Sequence, residues 1–197
     1  AARVSFNKRS PRNKPISDKD AKLINYLAQH NHWTPFGHCS AQFHMRAPIF
    51  VARQLGKHQV GLVWNEVSRR YVSDDPEVWY TEEWRKAADD KKQGSSEELL
   101  MSPKIMSNIY GDAIRHAVDA YKSLLSQGVC EEQARAVLPQ GMYTEWYWSG
   151  SIAAFARVCK LRLASDTQKE TRDVVKDINR QLEQRFPVSW KALQGAM

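Results

Sequence analysis

The sequence predicts a single α+β domain with more helix than strand. At 197 residues the chain is long enough for one domain with a substantial hydrophobic core. Ser40 to Arg46 alternates polar and apolar side chains, as expected of a strand with one face in water. Ile114 to Leu125 and Thr167 to Phe186 instead repeat apolar residues with the period of an amphipathic helix. Together these patterns indicate the α+β class.

The first third of the chain predicts a helix, a turn and the strand. Ser17 and Asp20 have the spacing of a capping box, so we expect a helix from about Ser17 to His30. Asn31 to His38 is a turn rich in histidine, but it lacks the helical pair of histidines beside a carboxylate that marks a zinc site. We therefore expect no metal. A second helix should follow the strand, with Pro48 in its first position.

The remainder predicts a cationic loop, an irregular excursion and several helices. Lys57 to Tyr71 is polar and contains a glycine that loosens the backbone. Glu77 to Leu100 mixes tryptophan with charge and is interpreted as an excursion with a short helix near Thr81 to Ala88. Glu131 to Leu138 should form a short helix. Met142 to Leu163 is too apolar for a solvent-facing helix and indicates core or a subunit interface.

Composition narrows the class of partner. The net charge of +7, from 29 basic and 22 acidic residues, favours anionic partners. The basic residues are spread along the chain, which makes nucleic acid an unlikely partner. No apolar stretch approaches the ~20 residues of a membrane span. Cys39, Cys130 and Cys159 show no metal-binding spacing and are typical of reduced packing thiols in a cytoplasmic protein.

The loop from Lys57 to Tyr71 holds the most chemistry. It combines several cationic groups with a single carboxylate, Glu66. Arginine offers a planar fork of donors that matches phosphate, and carboxylate, hydroxyl and amide groups can bind a base or a sugar. A nucleotide is therefore a suitable ligand. A solvated charged turn explains the same composition equally well.

Asn65 to Tyr71, with the sequence NEVSRRY, resembles the NExSxRY half of the signature of flavin-dependent thymidylate synthases. The other half, RHRxxS, corresponds to a segment that starts Lys57-His58-Gln59, lacks both outer arginines and the serine, and is one residue longer. Further segments match in the expected order: His32 to His38 (family pattern HxTPFEH), Ala47 to Gln54, Ala134 to Pro139, and Leu161-Arg162. The similarity runs from Ala1 to about Phe186.

The resemblance implies an α+β fold in which a small sheet packs against a largely helical body. It implies one catalytic domain over residues 1–197, with a further N-terminal strand in family members, and a homotetramer with active sites shared between subunits. The activity implied is reductive methylation of dUMP to dTMP. The implied cofactors are FAD, NADPH and 5,10-methylenetetrahydrofolate, and the implied location is cytoplasmic.

The setting of the three cysteines is compatible with the flavin-dependent route of dUMP methylation. Replacing the C5 hydrogen of uracil with methyl needs a one-carbon donor, activation of C5 and a final hydride. The folate-only route activates C5 by adding a cysteine thiolate to C6, and no cysteine here lies in an electropositive, nucleophilic setting. In the flavin route the reduced flavin supplies the hydride and no protein nucleophile is needed. The resemblance assigns Arg162 to the N3–C4 edge of the pyrimidine, where it would favour the N3-deprotonated form.

The remaining site residues also come from the resemblance. Arg162 and His58 are expected to be catalytic, with His58 the imidazole nearest the flavin ring, and Arg70 and Arg135 are the expected phosphate forks. The residues expected to hold dUMP are Gln54, Lys57, Glu66, Ser68, Arg69, Arg70, Arg135 and Arg162. Those expected to hold FAD are Ser5, His32, Thr34, Lys57, His58, Gln59, Ser151 and Arg157. At residues 151, 153 and 157 the family's usual Asn, Arg and Asn are absent.

Two other functions remain open on the sequence. The altered segment from Lys57 to Val63 allows a related enzyme that adds hydroxymethyl rather than methyl to dUMP. A basic nucleic-acid-binding module could also use the positive charge and the aromatic residues. Product mass would separate the first alternative, and bound flavin would exclude the second.

Overall fold

The computed structural model describes residues 1–4, 7–8, 15–89 and 95–196. They form two compact units. The terminal unit comprises Ala1–Phe43, His58–Val63 and Trp148–Met197, and the central unit comprises His44–Lys57 and Trp64–Tyr147. Among the described residues, no helix combines the length and the apolar character needed to cross a membrane.

A three-stranded sheet has the strand order β1-β3-β2. Strand β1 spans Ser40–Pro48, β2 spans Leu62–Glu66 and β3 spans Tyr143–Ser151. The strand predicted from Ser40 to Arg46 is confirmed, and its burial alternates as the pattern required. The mixture of a small sheet and many helices confirms the α+β class.

The terminal unit is mainly helical. Its helices are α1 (Asp18–Gln29), α2 (Thr34–Gly37), α6 (Ile152–Arg162), α7 (Lys169–Arg185) and α8 (Pro187–Gly195). Helix α8 packs against α1, α6 and α7, and its Trp190 is buried and donates to Asn179 Oδ1 at 3.0 Å. The predicted capping box is present: the Ser17 side chain accepts from Asp20 N, and the Asp20 side chain accepts from Ser17 N.

The central unit contains α3 (Ile49–Leu55), α4 (Pro103–Ser126) and α5 (Glu131–Ala134), which continues as a 3-10 turn over Arg135–Val137. These confirm the helices predicted near Pro48, Ile114 and Glu131. Pro48 is the N-cap of α3 and the last residue of β1, so the first helical residue is Ile49. Gly128 (φ +83°) ends the α4 segment in a left-handed conformation that suits glycine.

Three predictions were wrong. Residues 81–88 form no helix, because Arg85 pairs with Leu99 in an isolated antiparallel bridge. The apolar segment after Met142 begins as strand β3, and only Ile152–Arg162 is helical. The cationic loop contains strand β2, and α8 was not predicted at all. Strand pairing with distant residues overrides local helix preference in the first two cases.

Candidate functional site

In the terminal unit, His58 lies against the C-terminal end of α6. Arg162 Nε donates to His58 Nε2 over 2.8 Å. Desolvation by burial, followed by the positive charge of Arg162, lowers the pKa of His58 below its ordinary value of 6.5. The imidazole is therefore neutral near pH 7 and its Nε2 accepts the hydrogen bond. The two residues expected to be catalytic are thus brought together.

The segment after His58 is tied to the same helix. Arg157 Nη2 donates to the carbonyl oxygen of Val60 at 2.7 Å. Gly61 has φ +75°, and a Cβ added to Gly150 would lie 2.5 Å from the Gly61 carbonyl oxygen. Backbone therefore approaches backbone here, which only glycine permits. Residues 58–61 are held by two arginine side chains of α6.

The other residues expected at the flavin have local roles or are exposed. Ser151 is the N-cap of α6, and its Oγ accepts from Ala154 N at 3.2 Å. Thr34 is the first residue of α2, which packs against α6. Both Thr34 and His32 are exposed, as is Gln59. Ser5 lies outside the described residues.

In the central unit, the signature half NEVSRRY begins at the end of β2. Glu66 accepts hydrogen bonds on both carboxylate oxygens: Thr144 Oγ1 donates to Oε1 at 2.6 Å and Trp64 Nε1 donates to Oε2 at 3.0 Å. Ser68 Oγ then accepts from the backbone N and the Nε of Arg70, each at 3.3 Å. The end of β2 and the short turn after it therefore fix where the predicted nucleotide-binding side chains Glu66, Ser68 and Arg70 lie.

The arginines of the central unit differ in exposure. Arg70 is exposed, with its guanidinium 5.1 Å from the Tyr71 ring centroid. Arg135 is also exposed and donates from Nε to the Glu132 carbonyl oxygen at 3.3 Å. The Arg69 side chain is only 14% exposed and forms an ion pair with Asp74 at 3.2 Å. Arg70 and Arg135 therefore remain accessible to an anion, whereas Arg69 is already paired.

Two further predicted residues, Gln54 and Lys57, lie near the C-terminal end of α3. Gln54 lies in its last turn and is half-buried, and Lys57 follows the helix and is exposed.

A cavity of about 290 Å³ adjoins the signature half and is lined by Val67, Arg69 and Thr144 among others. A larger cavity, of about 530 Å³, lies along α4 and includes none of the predicted site residues.

The cysteines differ in burial, and burial raises the pKa of the Cys159 thiol to about 12. A thiol with so high a pKa is almost entirely protonated at neutral pH and is a poor nucleophile. Cys130 is exposed and Cys39 half-buried. Within the part of the chain that the structure describes, no three His, Cys, Asp or Glu side chains are grouped closely enough to hold a metal ion.

The two hydrogen-bond partners of Glu66, Thr144 and Trp64, were not predicted from the sequence. Thr144 was not singled out, because Met142 to Leu163 was interpreted only as core or a subunit interface, and Trp64 lies in the segment that was interpreted as a loop. The alternation of buried Thr144, Trp146 and Trp148 with Tyr143, Glu145 and Tyr147 has the period of two that marks a strand. That alternation is the sequence signal that places Thr144 on the buried face of a strand.

Comparisons with known proteins identify the family of the chain. The family model described as "Thymidylate synthase complementing protein" matches residues 1–188. A flavin-dependent thymidylate synthase from Thermus thermophilus is 38% identical over 98% of this chain and 69% of its own length. A relative of the same name from Thermosipho melanesiensis is 35% identical over 98% of this chain and 82% of its own.

One solved structure is similar to nearly the whole chain. The crystal structure of the UMP/dUMP methylase PolB from Streptomyces cacaoi, bound with 5-Br dUMP, has a TM-score of 0.82 and 27% sequence identity. The match covers 98% of this chain and 87% of that one. On the family match, the relatives and this structural likeness, the chain belongs to the flavin-dependent thymidylate synthase family.

Proposed function

We propose that this protein methylates dUMP to dTMP, with 5,10-methylenetetrahydrofolate as carbon donor and reduced FAD as hydride source. Membership of the family and the likeness to a UMP/dUMP methylase support this reaction class. The buried Cys159 thiol, with its raised pKa, argues against a thiolate adduct at that residue. The proposed route uses no protein nucleophile and depends on the placement of charge around the pyrimidine.

The observation that carries the proposal is the bond between Arg162 and His58. A neutral imidazole that accepts from Nε restricts the guanidinium to one orientation at the end of α6. Arg162 then meets the N3–C4 edge of the pyrimidine and stabilises the negative charge of the N3-deprotonated base. This raises the electron density at C5, which is the atom that must attack the one-carbon unit.

Other residues are proposed for the rest of the nucleotide. Exposed Arg70 and Arg135 are suited to bidentate contacts with the 5′-phosphate. Ser68 adds a hydroxyl, and Gln54 and Lys57 add an amide and an ammonium group. Arg69 can join them only if its ion pair with Asp74 opens, because little of its side chain is exposed.

The terminal unit fits a flavin dinucleotide by the chemistry of its donors. Arg157 and Arg162 place two cationic groups on α6, and Thr34, Gln59 and Ser151 offer hydroxyl and amide groups. Such a set suits a ligand with a diphosphate and polar ring edges. When bound, the reduced flavin supplies the hydride that completes the methyl group. His32 and His58 can contact a ring edge without adding charge while they are neutral.

Further features of the proposal follow the family. We propose NADPH as the reductant of FAD, one catalytic domain over residues 1–197, and a cytoplasmic location. We also propose a homotetramer in which Arg135 reaches the nucleotide held by Arg70 of another subunit. Both arginines are exposed, and neither forms an ion pair among the described residues. Their guanidinium groups are therefore accessible to a nucleotide bound at a shared site.

Anaerobic incubation with FAD, NADPH, 5,10-methylenetetrahydrofolate and dUMP tests the proposal. We expect mass analysis to show a nucleotide heavier than dUMP by one CH2 group, formed only when FAD and the folate are both present. A product heavier by CH2O would mean hydroxymethylation. Unchanged dUMP, from protein that retains FAD, would overturn the proposed reaction.

A further inference from the structure

The carboxylate of Glu66 is fixed within the central unit. Thr144 Oγ1 donates to Oε1 at 2.6 Å, and Trp64 Nε1 donates to Oε2 at 3.0 Å. Thr144 is only 5% exposed whereas Glu66 is exposed, so the first bond is partly buried. Hydrogen bonds to an ionised acceptor are shorter and stronger than neutral ones. Each oxygen of Glu66 therefore has one donor from its own chain.

Trp64 is itself held in place by stacking. Its ring lies on that of Trp146, with centroids 4.2 Å apart and planes at 16°. Trp146 is 1% exposed, which leaves the stack little freedom to turn. Glu66 contacts Thr144 and Trp64 contacts Trp146, so β2 and β3 run in opposite directions, and both contacts are diagonal cross-strand neighbours on one face of the sheet. The direction of the Trp64 N–H towards Glu66 is thereby set.

The backbone immediately after Glu66 leads to the nucleotide-binding turn. Val67 N donates to the Glu145 carbonyl oxygen at 2.9 Å, which continues the pairing with β3 by one residue. Ser68 then accepts from Arg70 and closes a short turn. The point at which the chain leaves the sheet therefore lies next to the anchored carboxylate.

We propose that Thr144 and Trp64 are positioning residues, which lock Glu66 so that Ser68 and Arg70 leave β2 in the geometry that binds the nucleotide phosphate. The inference rests on the proposed function, since it concerns dUMP. Its physical basis is pre-organisation: a turn that is already ordered loses less conformational entropy when the ligand binds. Neither residue needs to touch the substrate. Glu66 would act mainly through the turn that it anchors.

The test compares dUMP affinity among variants of the FAD-loaded protein. Thr144→Val removes the donor and keeps the shape, so we expect the Kd for dUMP to rise about tenfold, the cost of one charge-assisted hydrogen bond. Thr144→Ser keeps the hydroxyl and should stay within about threefold of the parent. In steady state KM should rise with Kd while kcat changes little, because uniform binding is lost and not transition-state binding.

A matched control variant and a double-mutant cycle show whether the effect on dUMP affinity comes from the bond between Thr144 and Glu66. Thr171 is a fully buried threonine in α7 whose Oγ1 has no hydrogen-bond partner among the described residues, so Thr171→Val should leave dUMP affinity unchanged. Glu66→Leu removes the acceptor of Thr144, so adding Thr144→Val to it should cost no more than Glu66→Leu alone, because the bond is already broken. Trp64→Phe keeps the stack, removes the N–H and decides the question should Thr144→Val fail to fold.

The outcomes separate this inference from the proposed function. A parent protein that binds dUMP, with Thr144→Val and Trp64→Phe binding equally well, overturns the positioning role alone. Additive losses in the cycle would also overturn it, since Glu66 and Thr144 would then act independently. A parent protein that does not bind dUMP overturns both the inference and the function on which it rests.

Discussion

At the scale of single residues, the pair of His58 and Arg162 shows how the chain controls protonation. Each is ordinary alone, but burial and the adjacent guanidinium together keep the imidazole neutral. A neutral imidazole can accept a bond that an imidazolium cannot, because both of its nitrogens would then carry protons. The orientation of Arg162 is therefore coupled to the protonation of His58.

We predict a pH dependence from this pair. The unfolded chain binds a proton on His58 near 6.5, whereas the folded chain binds it only at lower pH. The unfolded state thus holds more protons in the window below 6.5, so the free energy of unfolding rises with pH there and reaches its full value above it. As pH falls through this window, both stability and kcat/KM should decline.

His58→Gln checks the assignment. A glutamine carbonyl oxygen can accept from Arg162 at any pH, so this variant should lose the component of the pH profile that His58 contributes. His116→Gln, at an exposed histidine of α4, should keep the parental profile. An unchanged profile in His58→Gln, measured by denaturation and by kcat/KM, would contradict the prediction.

A second prediction at this scale concerns the cysteines. A chain with Cys39→Ser, Cys130→Ser and Cys159→Ala should retain kcat/KM within about threefold, or below roughly 1 kcal/mol of transition-state stabilisation. Of these three substitutions, we expect only Cys159→Ala to lower the stability, because Cys159 is buried. Loss of activity by several orders of magnitude in a folded triple variant would identify a cysteine nucleophile.

At the scale of elements, the sequence was informative where structure depends on neighbouring residues. The capping box at Ser17, the alternation of β1 and the apolar repeat of α4 are local patterns, and all three are confirmed. Strand β2 is different. It is only five residues long and lies in a charged, glycine-containing segment, so its partner β3 determines its conformation. The helix expected near Thr81 failed for the same reason.

The candidate site shows the same difference between what local sequence predicts and what depends on distant residues. The resemblance could name Arg162 and His58 by position, but their hydrogen bond joins residues 104 apart in sequence and no local pattern encodes it. Thr144 and Glu66 are 78 residues apart. Arg157 was expected at the flavin, and in the structure its guanidinium binds the carbonyl of Val60. Contacts of this range follow only from the packed fold.

Gly150 gives a prediction for the sheet. A Cβ on this residue would lie 2.5 Å from the Gly61 carbonyl oxygen and from Leu62 Cδ2, so Gly150→Ala should destabilise the protein by about 1–3 kcal/mol through overpacking. Gly111→Ala is the matched control, because nothing lies within 4 Å of its Cβ position in α4. There alanine should stabilise by about 0.5–1 kcal/mol.

Chemical denaturation of both glycine variants measures the two effects. Equal stability of Gly150→Ala and the parent would show that the backbone at residues 61 and 150 is not in close contact. The same result would leave Arg157 and Arg162 as the contacts that fix residues 58–61, since both belong to α6 whereas Gly150 belongs to β3.

At the scale of the whole molecule, the proposed site residues are spread over both units. His58, Arg157 and Arg162 belong to the terminal unit, and Glu66, Arg70 and Arg135 to the central unit. The net charge of +7 suits a nucleotide, a dinucleotide and a folate, all of which are anionic. The basic residues are spread along the chain, and this distribution suits the binding of several small anions.

The proposed shared sites predict complementation between inactive variants. Arg70→Ala and Arg135→Ala should each be inactive when refolded alone. After refolding as an equal mixture they should regain about a quarter of the parental activity, the share of randomly paired sites in which each subunit supplies its intact arginine. An inactive mixture that elutes as an assembled oligomer would place both arginines in one subunit's site.

The origin of the hydride tests the central claim most directly, because the claim is that reduced flavin and fixed charges replace a covalent protein handle. The N–H of a reduced flavin exchanges with solvent, whereas the C–H that folate would donate does not. Carrying out the reaction in D2O with unlabelled folate should therefore place deuterium in the methyl group of the product. A methyl group without deuterium would show that folate donates the hydride and would contradict the account.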